Sequence, residues 1–248
     1  RFPAHPGIAS NRVAAIDPNY RLVVGRPNEV GASPERFQGT TLYDWSAAKN
    51  RRARAFSVSM KDRGAILPIG RSKQNVYWYS LTGSFTTSDY YRSELPDWVK
   101  AFNARALPDS YAGKQWALSR DTSFYKEPDA VQYENRGNNT TFPHSFGSSA
   151  AQAESAIRTS PIIDSITALF ALEGLQQLGI GRGPHTDVMA VSFSPTDYVG
   201  HAYGPDSRES HENQLRLDQT IGWFIDSLYK LRDSSRVVFA LTGDHGIS

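Results

Sequence analysis

Two short polar clusters carry the residue types that divalent-metal chemistry needs. The first is Ser194-Pro195-Thr196-Asp197-Tyr198-Val199-Gly200-His201, and the second is Thr242-Gly243-Asp244-His245-Gly246. Each offers one carboxylate and one imidazole. Two Asp and two His crowded together are costly without a cation. With one they become an oxygen and nitrogen ligand set that suits zinc, although manganese or iron could take the same donors. Neither cluster is specific alone. The composition yields an Asp-x-x-x-His about 0.4 times by chance. An Asp can equally cap a turn, and a His can be a satisfied core side chain. The weight comes from where the two clusters sit.

Both follow apolar runs that read as strands. Thr186 to Phe193 has an apolar centre, as expected of a strand covered on both faces, and Arg236 to Leu241 reads the same way. Between them, Arg208 to Leu231 places Leu215, Leu217, Ile221, Phe224 and Leu228 near helical spacing. This is a strand, loop, helix and strand unit, which predicts two parallel strands. Ligands of open sheets bind beyond the carboxyl ends of such strands, where both polar clusters fall.

Further elements are legible upstream. Ser160 to Leu178 reads as a helix, with Ser160 as cap, Pro161 in the first turn and Gly179 after the end. Ala55 to Met60 alternates apolar and small polar residues as a strand does, and it leads into Lys61-Asp62-Arg63-Gly64. In an extended segment Lys61 and Arg63 would point the same way and could face one anion. On its own the pair is equally a solvated basic turn. Asn75 to Ser80 and Ser84 to Asp89 read as a hairpin, Pro96 to Ala106 as a helix, and Arg21 to Val24 as a short strand. Residues 108–150, rich in Tyr, Ser, Asn, Gly and Pro, read as an irregular surface insertion.

Composition narrows the class. The chain of 248 residues is 39% hydrophobic and 21% charged, a globular composition that excludes a disordered tail, a collagen and a coiled coil. With no cysteine, thiolate zinc sites, disulfides and cysteine nucleophiles are excluded. The net charge of +2 is too small for a dedicated nucleic-acid binder, and Arg51-Arg52-Ala53-Arg54 reads as a solvated loop face. No apolar run reaches the length of a membrane span. The chain starts on Arg and stops just beyond a strand-like run, so it is expected to be an internal segment of a longer protein.

The string Asp197-x-x-Gly200-His201-x-x-Gly204-Pro205-x-Ser207, a long helix containing Asp218, and then Thr242-x-Asp244-His245-Gly246 resemble the alkaline phosphatase superfamily. The branch is the one shared by type I phosphodiesterases/nucleotide pyrophosphatases and phosphate-irrepressible bacterial alkaline phosphatases. Residues 186–247 carry the resemblance strongly, and Arg1-Phe2-Pro3-Ala4-His5-Pro6-Gly7-Ile8 carries it more weakly. It implies an α/β fold, a mostly parallel sheet with helices on both faces. It implies one incomplete catalytic domain over residues 1–248, with residues 75–150 as a cap or insertion. It implies two Zn2+, one bound by Asp197 and His201 and the other by Asp244 and His245. Asn11, otherwise a loop asparagine, matches the family Asn that donates to a phosphoryl oxygen. Lys61 and Arg63 resemble the Lys-x-Arg that contacts the phosphate of monoesters, a pair that diesterase relatives usually lack.

The implied activity is hydrolysis of small phosphate monoesters through a covalent phosphoenzyme, in a periplasmic or secreted protein. The family's Thr or Ser nucleophile falls upstream of Arg1, and an Asp and a His that complete the two metal sites fall outside the chain. This segment alone is therefore expected to be inactive. The alternatives are a phosphodiesterase or nucleotide pyrophosphatase of the same fold and a non-catalytic degenerate relative. A sulfatase is disfavoured, because its formylglycine precursor is not visible.

Overall fold

The computed structural model describes Asp17 and residues 19–246. Its elements in chain order begin with α1 (Leu42–Lys49), β1 (Ala55–Ser59), α2 (Asp62–Ile66), β2 (Asn75–Tyr79), β3 (Phe85–Thr86) and α3 (Asp97–Asn103). Then come β4 (Gln115–Trp116), β5 (His144–Ser145), α4 (Ala150–Ala156), α5 (Ile162–Gln177), β6 (Val188–Ser192), α6 (Pro195–Tyr203) and α7 (Arg208–Leu231). Asn11 and the Arg1–Ile8 motif lie outside the described residues.

The main sheet has the order β3-β2-β1-β6. β1 is central and parallel to both neighbours, pairing Ser59 with Trp78 on one side and with Ser192 on the other. β3 returns antiparallel to β2. The expected α/β architecture with a mostly parallel sheet is therefore present. Strand alternation divides the core in two. Phe56 and Val58 of β1, with Tyr77 and Tyr79 of β2, face α3, α5 and α7. Ala55, Val76 and Trp78 face the opposite way, toward Tyr43 of α1 and Ala65 and Ile66 of α2. Helices thus cover both faces.

Aromatic packing fixes the larger core. Phe170 of α5 stacks on Phe85 at 4.0 Å between ring centroids, and Tyr77, Trp98 and Phe102 surround it at 5.0–5.6 Å. Each such ring, once buried, contributes about 1.5–3 kcal/mol from its apolar surface. This cluster joins β2, β3, α3 and α5 into one unit. The Asn75 to Asp89 hairpin is therefore part of the main sheet and not of a cap. Residues 107–147 do lie outside that sheet, as short 3-10 turns around the small β4–β5 pair.

Two expected strands are absent among the described residues. Arg21 to Val24 makes only isolated bridges, Arg21 to Val30 and Leu22 to Ser88. Arg236 to Leu241 forms no ladder. After α7 a 3-10 turn at Ser234–Arg236, capped by Asp233, redirects the chain, and Val238 and Leu241 stand 95% and 81% exposed. A run of apolar β-formers becomes a strand only when its amides find partners, and these do not meet the free side of β6. For the same reason β6 is half-buried along its length and is not covered on both faces.

Candidate active site

The site assembles at the carboxyl ends of β1 and β6. Their last residues, Ser59 and Ser192, are register partners. Ser194, two residues past β6, bridges both strand ends, with its Oγ 2.9 Å from Ser59 Oγ and 3.1 Å from Ser192 Oγ. The Lys61 amide donates to Ser59 Oγ at 3.0 Å, so the same hydroxyl also fixes the exit of β1. Gly64 lets α2 lie directly on this hydroxyl group. A Cβ there would come within 2.6 Å of Ser59 Oγ and 2.9 Å of Ser192 Oγ.

α6 starts at this junction. Pro195 sits in its first turn, where a missing N–H costs nothing. Asn213, fully buried on α7, donates to Thr196 Oγ1 at 3.0 Å and holds that turn in place. The far end of α6 stops at Gly204, whose φ of +102° favours glycine. Ser207 then caps α7 by accepting from the Ser210 amide at 3.0 Å. The glycine and serine of the sequence motif therefore shape the corner between α6 and α7 and leave the chemistry to Asp197 and His201.

Asp197 is the hub. Its Oδ2 accepts a very short hydrogen bond from Lys61 Nζ, and its Oδ1 lies 3.4 Å from His201 Nε2 and 3.6 Å from His245 Nε2. Asp244 Oδ2 is 3.5 Å from the same His245 nitrogen. Burial pushes the Asp197 carboxyl up. Lys61, through its hydrogen bond and charge, outweighs burial with help from His201 and His245 and holds the carboxyl below the usual carboxylate range. The Lys61 side chain is itself nearly buried, 9% exposed, and its ammonium lies 4.8 Å from the centre of the Tyr198 ring.

The sequence expectations thus meet in one place by a different route. The two clusters were to come together on two successive parallel strands. The strand neighbouring β6 is β1, so Lys61 and Asp197 face each other across a real ladder, and His245 arrives from an irregular segment. The expected pairing of Lys61 with Arg63 is not present. Asp62–Ile66 is helical and not extended, so the two cations diverge. Arg63 is 52% exposed, with Asp62 3.9 Å away. In the arginine-rich run, Arg51 and Arg52 are exposed as expected, but Arg54 is a structural clamp. Its Nη2 meets Asp187 Oδ2 at 2.7 Å, and its guanidinium donates to the carbonyls of Leu178 and Gly179.

The donor set can be tested against zinc. A tetrahedral ion with ligands about 2.0–2.1 Å away needs donor separations of about 3.3 Å. The pairs Asp197–His201, Asp197–His245 and Asp244–His245 come close to that. No three His, Asp or Glu side chains among the described residues already form a cage, and Lys61 holds the remaining Asp197 oxygen. The fit is pairwise.

The Ser59, Ser192 and Ser194 hydroxyls, Tyr198 and Asn213 were not singled out from the sequence. Serines near the ends of two strand-like runs were the available signal, but serine is common at strand ends. The contact of Asn213 with Thr196 joins two helices and leaves no trace in local sequence.

A family model for type I phosphodiesterases/nucleotide pyrophosphatases matches residues 1–248. The chain belongs to this family. It is 39% identical over 248 residues to alkaline phosphatase PhoV of Synechococcus elongatus, a match covering 97% of this chain and 45% of that protein. It is 33% identical over 228 residues to alkaline phosphatase PafA of Elizabethkingia meningoseptica, covering 88% of this chain and 42% of PafA. Its structure superposes on the crystal structure of wild-type PafA with a TM-score of 0.80 at 32% identity, covering 89% of this chain and 44% of that one. The chain thus spans less than half the length of the relatives it matches. No helix among the described residues is long and apolar enough to cross a membrane.

Proposed function

We propose that the whole protein hydrolyses phosphate monoesters, and that this chain supplies part of its metal and phosphate site. The observation that carries the reading is the near-buried Lys61 side chain, with its ammonium held on Asp197 at the junction of two parallel strands. A fold gains little stability from such a pair, because desolvating both charges offsets their attraction. A lysine kept there suits an anion that brings its own charge, and a monoester dianion carries more than a diester. The likeness to PhoV and PafA, both named alkaline phosphatases, supports this choice over the phosphodiesterase.

Asp197, His201, Asp244 and His245 would hold divalent metal, with two zinc ions as the expected complement. When bound, such metal supplies Lewis acidity toward a phosphoryl oxygen. Lys61 supplies a fixed positive charge, and Asn213 and Ser194 keep Asp197 in place beside it. Arg63 and Asn11 are the further phosphate contacts carried by the resemblance. A periplasmic or secreted location suits this use of metal.

The test is kinetic. In the whole protein, Lys61→Ala is expected to lower kcat/KM for a monoester by on the order of 10²-fold and to affect a diester far less. Arg63→Ala should follow the same pattern if that side chain swings inward with substrate. Equal losses on the two substrates would overturn the choice of monoesterase.

A further inference from the structure

A cleft of about 560 Å³ opens beside the site. Arg26, Leu81, Gln152, Glu154, Arg158 and Tyr198 are among the residues that line it. Tyr198 joins the two regions. Its neighbour in the chain is Asp197, and Lys61 Nζ lies over its ring. The cleft is therefore one aromatic ring away from the Asp197–Lys61 pair. α6 packs on the 3-10 turn Ile157–Thr159, which carries Arg158, so the two regions also share a rigid support.

We propose that this cleft is a subsite for a leaving group that carries its own anionic group, read by Arg158 and Arg26. The inference deepens the phosphomonoesterase reading and rests on it for the substrate. Arg158 leans on the ring of Tyr79, with its guanidinium carbon 5.8 Å from the centroid. Its Nη1 is buried, and among the described residues no side-chain hydrogen bond or ion pair holds the guanidinium. The part of the guanidinium that lines the cleft is thus open to a carboxylate or phosphate oxygen. Arg26 lines the same cleft and is exposed. Among the lining residues the carboxylate is Glu154, and Glu29 beside the cleft is occupied by the Arg26 and Leu81 amides. Burial and the nearby Asp109 push the Glu154 carboxyl up, against Arg26. Tyr198 and Leu81 give the cleft apolar surface for the body of the leaving group. A second phosphate or a carboxylate meets the same chemistry.

Inorganic pyrophosphate is the direct probe, titrated into the protein by calorimetry. Arg158→Met is expected to weaken its binding about tenfold, Arg26→Met less, and Arg158→Lys should fall between Arg158→Met and the parent. The exposed Arg26 variant keeps the test open if Arg158→Met fails to fold. The kinetic arm compares phenyl phosphate with 4-carboxyphenyl phosphate in the whole protein. Arg158→Met should lower kcat/KM about tenfold for the carboxylated ester and less than twofold for phenyl phosphate. If neither ester is hydrolysed, the phosphatase reading fails, and the pyrophosphate titration still decides the cleft. Pyrophosphate affinity that is immeasurable in the parent or unchanged by both arginine variants would overturn the subsite, as would equal kinetic losses on the two esters.

Discussion

Glu134 is a carboxyl placed where a carboxylate is costly. It is buried, its Oε2 has no hydrogen-bond partner among the described residues, and burial together with the charges of Glu209 and Asp129 pushes its pKa up to about 7. His144 Nε2, 2.9 Å from Glu209 Oε1, belongs to the same buried group, and Tyr203 packs against its ring. A carboxyl whose folded pKa lies above its unfolded value binds its proton more tightly when folded. Its neutral form is harmless below the ordinary glutamate range. Stability is then lost as pH rises from there through about 7. Glu134→Gln removes that loss. The variant should match the parent near pH 4 and exceed it near pH 8 by about 3 kcal/mol, read from urea unfolding at both values. A gap that does not grow with pH would show that Glu134 ionises freely in the fold. At this scale the sequence singles out residues whose types and spacing are distinctive, as at Asp197 and His201, which the structure places 3.4 Å apart. It was not readable for Glu134 or Asn213, whose environments are made by elements far away in the chain.

Elements were legible where the pattern alone decides them. The apolar, well-bounded segment of α5 appeared within two residues of its expected start, and β1 stood where its alternation put it. The run 236–241 has equally good strand composition and forms none, because pairing depends on a neighbour that no local pattern encodes. The order of strands was the larger omission, since β1 and β6 are separated by more than 120 residues and adjacency between them had no local signal. What holds α5 onto β1 is a close approach at Gly174. A Cβ there would fall 2.4 Å and 2.5 Å from ring carbons of Phe56, which is itself packed between Tyr77, Trp98 and Phe170. Neither ring nor helix has room to give. Gly174→Ala, although it improves helix propensity, is expected to lose about 1–3 kcal/mol by overpacking. The measurement is the urea midpoint at unchanged m-value, and a gain in stability would mean that the helix and sheet are separated enough to admit a methyl group.

Across the whole molecule, two ion pairs close the two ends of the β1–β6 ladder, and they differ in purpose. At the entry, Arg54 and Asp187 bind each other directly, and the Asp187 carboxylate also accepts from the Arg54 and Gly181 amides at 2.8 Å and 2.9 Å. Arg54 in turn satisfies the last carbonyls around the end of α5. Every donor there has a structural task, so Asp187→Ala would strand two amides and take from the Arg54 guanidinium its one charged partner among the described residues. The expected loss is roughly 2–4 kcal/mol. At the exit, Lys61 and Asp197 are supported by Ser59, Ser194 and Asn213, yet among the described residues the lysine satisfies no backbone group with its ammonium. Lys61→Met keeps the stem and removes the desolvated charge, leaving Asp197 with His201 and His245 and access to water. The loss should be about 1–2 kcal/mol and smaller than that of Asp187→Ala, because Asp197 is 19% exposed and keeps two histidines beside it. Both variants unfold in urea as the same chain, so the comparison needs no catalytic assay. If Lys61→Met falls as far as Asp187→Ala, the exit pair is a second structural clamp and the functional reading of Lys61 is lost. If the entry variant falls further, the ladder is held at one end for the fold and left charged at the other for a ligand.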